Sequence, residues 1–136
     1  MRRLQSRAGK PDFLVLISAL NLANQILISG NYDELRTFAQ ERIVDARRVM
    51  GAEHEITLML RNLYAQALFN GHDGFDASRD DRKQAVAILI DVVQILRRVM
   101  GPSHPQTKNV ELCLRNIRGR LALGVYDSLV TNRNSV

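Results

Sequence analysis

With 136 residues the chain is one domain's worth of polypeptide, long enough to bury about 68% of its unfolded surface without covalent staples. Its single cysteine excludes an internal disulfide framework, and Lys10 and Asn21 bound an apolar run too short to span a membrane. The formal net charge of +5 is unevenly spread: four basic and no acidic residues in 1–10, ten and twelve in 11–100, five and two in 101–136. A near-neutral body with basic ends argues against nucleic acid as the main partner.

Residues 1–10 read as a disordered basic tail that lacks the charge order and cleavage site of a signal peptide. Pro11-Asp12 opens the first helix, where proline suits an early position. Phe13 to Ile28 is apolar nearly all round, so this helix is expected to be covered on more than one side. Gly30-Asn31 ends it. The second helix, Tyr32 to Met50, is amphipathic: Leu35, Phe38, Ala39, Ile43, Ala46, Val49 and Met50 fall at 3-4 spacing, with Arg36, Gln40, Glu41, Asp45 and Arg47 outside the stripe.

The third helix runs from Glu53 to Asn70, and Gly71 stops it. Residues 72–81 are polar and glycine-rich and read as a loop insertion, the most protease-sensitive interior stretch. Its acidic spacing lacks the ladder of oxygen ligands and the closing glutamate of a calcium loop. The fourth helix, Arg82 to Met100, shows only a narrow polar stripe of Gln84, Asp91, Gln94 and Arg98, and should be more enclosed than the second helix, its counterpart in the preceding pair. The fifth, Ser103 to Leu123, sets Lys108, Arg115 and Arg118 opposite Val110, Leu114, Ile117 and Leu121. A short terminal helix is then expected after Gly124, with residues 131–136 frayed.

One stretch occurs twice. Arg47-Arg48-Val49-Met50-Gly51-x-x-His54-x-x-Thr57 returns as Arg97-Arg98-Val99-Met100-Gly101-x-x-His104-x-x-Thr107, fifty positions on (97 − 47). Each copy closes one helix and opens the next. The arginines oppose the negative helix end, and the glycines sit where orphan carbonyls need a left-handed cap. Pro102 and Pro105 forbid simple helix continuation in the second copy. His54 and His104 have no cysteine or second histidine at ligand spacing, so they are expected to bond locally rather than hold a metal.

These features resemble a tetratricopeptide repeat of the variety found in kinesin light chains. The carrying residues are Asn21-Leu22-Ala23, the turn Gly30-Asn31-Tyr32-Asp33-Glu34-Leu35, and the joint Met100-Gly101-Pro102-Ser103-His104-Pro105-Gln106-Thr107. The turn echoes again at Gly124-Val125-Tyr126-Asp127-Ser128-Leu129, while Leu35 replaces the family's small alanine and Tyr64 stands where Ala23 stands. The resemblance implies an all-α solenoid of antiparallel helix pairs over residues 11–130. About two and a half repeats would fall at 12–51, 53–101 and 103–130, giving five main helices and a short terminal one.

It also implies a cytoplasmic protein-interaction scaffold that binds a peptide or partner protein on the face lined by the first helix of each pair. By motif position Asn21, Asn24, Arg61, Asn62 and Gln66 are the candidate contacts, since Asn and Gln can pair with a peptide backbone as donor and acceptor. The alternative is a basic surface of Lys108, Arg115, Arg118 and Arg120 that takes nucleic acid or an acidic partner, with steep loss of binding in salt. No catalytic, metal or cofactor motif occurs, and Cys113, in an apolar stretch, is expected to be buried and inert. Helix pairs bury their apolar faces only against neighbours. Val15, Leu16 and Leu20 at one end, or Val125 and Leu129 at the other, are therefore expected to be exposed and to drive weak self-association or docking onto further repeats.

Overall fold

The structure, a computed structural model, describes the backbone of residues 9–71 and 78–134 and the side chains of 13–71 and 78–121. The chain is all-α, with no strand among the described residues. Five helices follow one another: α1 Gly9–Ser29, α2 Tyr32–Met50, α3 Glu55–Asn70, α4 Arg79–Val99 and α5 Pro105–Asn134. Each packs on the next, and α1 also touches α3.

Side-chain caps set most of the boundaries. Asn31 Oδ1 accepts the Glu34 N–H at 3.2 Å while its Nδ2 donates to Glu34 Oε1 at 3.1 Å, a reciprocal cap at the start of α2. The two copies of the repeated joint carry the same bonds. His54 Nδ1 accepts the Ile56 N–H at 3.1 Å, and His104 Nδ1 accepts the Gln106 N–H at 3.1 Å. The Thr57 and Thr107 hydroxyls, both buried, donate to the Gly51 and Gly101 carbonyls at 2.9 Å. Both histidines thus bond locally as helix caps, and Pro105 takes the first helical position, where its missing N–H costs nothing.

Several boundaries differ from the sequence reading, among them the starts of α3 at Glu55 instead of Glu53 and of α5 at Pro105 instead of Ser103, each just after its histidine. α1 starts at Gly9, inside the expected tail, and residues 1–8 lie outside the described residues. α4 starts at Arg79 instead of Arg82, because Ser78 Oγ accepts the Asp81 N–H at 3.0 Å and Asp80 and Asp81 favour the positive helix end. The rest of the expected insertion, residues 72–77, lies outside the described residues. Finally, α5 continues through Gly124 to Asn134, so no separate terminal helix begins there, and residues 135–136 of the expected frayed tail lie outside the described residues. At Gly30 the next residue is Asn31, whose side chain caps a new helix. Gly124 is followed by Val125, which has no oxygen to do so, and a glycine without a cap is tolerated within a helix at about 1 kcal/mol.

Contacts between helix ends define the directions. Phe13 near the start of α1 stacks edge-on against His54 at the start of α3, with ring centroids 6.4 Å apart. Arg36 in the first turns of α2 bridges Asp81 at the start of α4 at 3.0 Å. Arg98 at the end of α4 reaches back to Glu53 just before α3 at 2.7 Å. Arg120, late in α5, donates to Asn70 at the end of α3 at 3.2 Å. So α1, α3 and α5 run one way, and α2 and α4 the other.

The core has two clusters, and α3 belongs to both. Ile56, Leu60, Leu63 and Ala67 pack with Leu16, Ala23 and Ile26 of α1 and Leu35, Ala39, Ile43 and Ala46 of α2. Leu58, Met59, Ala65, Leu68 and Phe69 pack with Ala85, Leu89, Val92, Val93 and Leu96 of α4 and Val110 and Ile117 of α5. α3 is the enclosed helix. α4 buries one face and exposes Gln84, Asp91, Gln94 and Arg98 as its polar stripe. α1 departs from expectation: it is apolar all round but covered on one side, with Phe13, Leu14, Val15, Leu22 and Ile28 exposed. Of the three residues expected at the open end, Val15 is exposed, Leu16 is buried and Leu20 is half-buried. Val125 and Leu129 lie outside the residues whose side chains are described.

Candidate functional site

Three helices that run in the same direction enclose a cleft of about 360 Å³, near the lower end for small-molecule sites. From α1 come Leu20 and Asn24; from α3, Met59, Asn62 and Leu63. α5 supplies Gln106, Asn109, Leu112, Cys113 and Asn116, whose spacing of three and four residues keeps them on one side of that helix. None of these lining residues is charged. Their polar groups are carboxamides and one thiol.

The carboxamides differ in their commitments. Asn62 is buried, and its Oδ1 accepts from Gln66 Nε2 at 3.4 Å; the same nitrogen lies 3.6 Å from Cys113 Sγ and ties α3 to α5. Asn24 Nδ2 donates to its own helix at the Leu20 carbonyl, 3.1 Å away. The amides of Asn109 and Asn116 are exposed and make no protein hydrogen bond among the described residues. Such groups offer a donor and an acceptor each to an incoming backbone.

Burial pushes the Cys113 thiol up from its ordinary range, against a smaller opposing effect of its hydrogen bond with Asn62. The thiolate is the reactive form. Alkylation of Cys113 is therefore expected to keep accelerating with pH beyond the point where a free cysteine has levelled off, and unfolding should remove the difference. A pH–rate profile that coincides with that of a free thiol would show the sulfur to be solvated.

The residues carried over from the family motif separate in space. Asn24 and Asn62 line the cleft, and Gln66, outside that lining, donates to Asn62. Arg61 turns away: its guanidinium bonds Asp91 of α4 at 2.9 Å and borders a second recess with Gln40, Val44, Arg47, Tyr64 and Gln84. Asn21 is exposed on α1 outside the cleft lining. The α5 contribution of Gln106, Asn109, Cys113 and Asn116 was missed in the sequence, where the basic residues of the same helix drew attention. The available signal was the run of uncharged polar residues at three- and four-residue spacing.

Of the basic set, Lys108, Arg115 and Arg118 are exposed. Arg120 is held elsewhere, bonded to Asn70 and stacked 5.0 Å from the centroid of Phe69. Ion pairs near the repeated joint join neighbouring helices: Arg97 donates to Glu111 at 2.6 Å, and Arg98 holds the Glu53 carboxyl below its usual range by hydrogen bonding and charge. Both partners of the second pair are exposed, so it contributes little to stability. Among the described residues no group of three His, Cys, Asp or Glu side chains could hold a metal, and no helix is long and apolar enough to cross a membrane. Comparison with protein-family models, curated proteins and solved structures yields no match to this chain.

Proposed function

We propose that the protein is a scaffold of tetratricopeptide type, similar to the repeats of kinesin light chains, that binds an extended, largely uncharged peptide segment in the cleft between α1, α3 and α5. The carrying observation is the cleft lining: carboxamides from three successive parallel helices, with no charged side chain among them. A peptide backbone offers alternating donors and acceptors, which amides match and guanidinium or carboxylate groups match only by half. The repeated joint, with its identical histidine and threonine bonds, supports the repeat architecture from an independent direction.

Peptides selected from a display library on the wild-type protein provide the test. Asn109→Ala combined with Asn116→Ala is expected to weaken the selected peptides about tenfold, since each lost hydrogen bond is worth roughly 0.5–1.5 kcal/mol. Both residues are exposed, so the fold should survive. Replacing Lys108, Arg115 and Arg118 by alanine is expected to leave affinity unchanged, with little salt dependence. Steep loss of binding in salt, removed by those three alanines, would instead select the basic face and an acidic partner.

A further inference from the structure

The outward side of α1 carries Leu14, Val15, Ser18, Asn21, Leu22, Gln25 and Ile28, every one of them exposed. Ile28 and Leu14 are 77% and 63% exposed, values at odds with a free apolar helix surface. From Phe13 to Ser29 there is no charged residue, although the chain carries a net +5. We propose that this face is the interface of a symmetric homodimer, with α1 of one copy crossing α1 of its partner antiparallel near Asn21.

Three observations favour a second copy as the occupant. A two-fold interface must complement itself, and a net charge of either sign on the seam would be presented by both copies; no charged residue is present there. The seam runs Leu14, Ser18, Asn21, Gln25, Ile28 at spacings of four and three. It is apolar at both ends and polar between, and Leu14 and Ile28 lie seven residues on either side of Asn21, so a two-fold axis there sets each against the other. A carboxamide is also its own partner: Oδ1 of one Asn21 accepts from Nδ2 of the other, twice across the axis. A buried asparagine in such a position sets register at some cost in stability. Leu20 and Asn24, which line the peptide cleft, are not part of the seam.

Leu14 to Ile28 spans about 21 Å of helix. Two such strips give an interface near the lower limit of specific ones, roughly 1,000 Å² in total. Association is therefore weak and concentration-dependent. Because two copies of charge +5 repel at long range, added salt strengthens it.

Sedimentation velocity over a wide concentration range, at low and moderate salt, tests the proposal. Wild-type protein should pass from monomer to dimer, at lower concentration when salt is raised. Leu14→Lys with Ile28→Lys sets like charges against each other across the seam and should weaken association at least tenfold, with circular dichroism unchanged because both side chains are exposed. In a Cys113→Ser background, Asn21→Cys should give a disulfide-linked dimer on mild oxidation, while Gln40→Cys on α2 should not. A wild-type monomer at every concentration would overturn the proposal. So would a dimer untouched by the two lysines, or equal crosslinking from both cysteine positions.

Discussion

Leu60→Ala and Leu58→Ala are each expected to lower the free energy of unfolding by about 2–5 kcal/mol, read as a shift in urea midpoint with little change in slope. Both side chains are fully buried, two residues apart on α3, and they face different clusters: Leu60 packs with α1 and α2, Leu58 with α4 and α5. A leucine truncated in a closed core loses its transfer free energy and leaves a cavity that neighbours fill only in part. Set against a typical domain stability of about 5–15 kcal/mol, either change is large. Because one helix serves both clusters, each variant should still unfold in a single transition seen alike by circular dichroism and by tyrosine fluorescence. Val44→Ala, on an exposed position of α2, should move the midpoint by no more than about 0.5 kcal/mol. Two separated transitions in Leu60→Ala would show that the clusters fold independently and that α3 does not couple them.

The second large effect lies at the joints. Gly51 has φ +97° and ψ 162°, and Gly101 has φ +96°. The Gly51 values fall in a region that is essentially glycine's alone, and positive φ near +97° strains any side chain. A Cβ added at either position would meet no atom within 4 Å, so the expected cost is backbone strain without collision. Gly51→Ala and Gly101→Ala should each destabilise by about 1–3 kcal/mol, nearly additively because the sites share no partner. Gly119 supplies the control. It is a helical glycine with equally open surroundings and no positive φ, so Gly119→Ala should stabilise by about 0.5–1 kcal/mol. Thermal melts of the three variants decide the matter. Equal effects at all three positions would mean that the joints impose no special conformation.

The same contrast marks what could be learned from residue order. The two joints were legible because every bond that forms them is local: His54 to Ile56, Thr57 to Gly51, and their copies fifty residues on. Five main helices followed from periodicity together with glycine positions. Errors arose where a local signal needed its neighbour. Gly124 looks like Gly30 until the next residue is asked for a capping oxygen, and Arg79 to Asp81 look like loop until Ser78 is counted as a cap.

By itself the sequence determined which segments are helical, where the repeated joints fall, and that the body carries almost no net charge. Those properties depend on contacts within a few residues, which the order of residues specifies directly. Tertiary structure alone decided which side of each helix is covered. Asn21, Asn24, Arg61, Asn62 and Gln66 are equivalent in the sequence as polar positions on two helices, α1 and α3. Packing sends Asn24 and Asn62 to the cleft, Arg61 to Asp91 of α4 and Asn21 to the open side of α1. It likewise covers α3 on both sides and leaves α1, equally apolar, covered on one. A helix with apolar residues on every side carries no internal preference for the face it buries. The choice rests on how many neighbours the chain brings to it, and α3 lies between two helix pairs where α1 adjoins one.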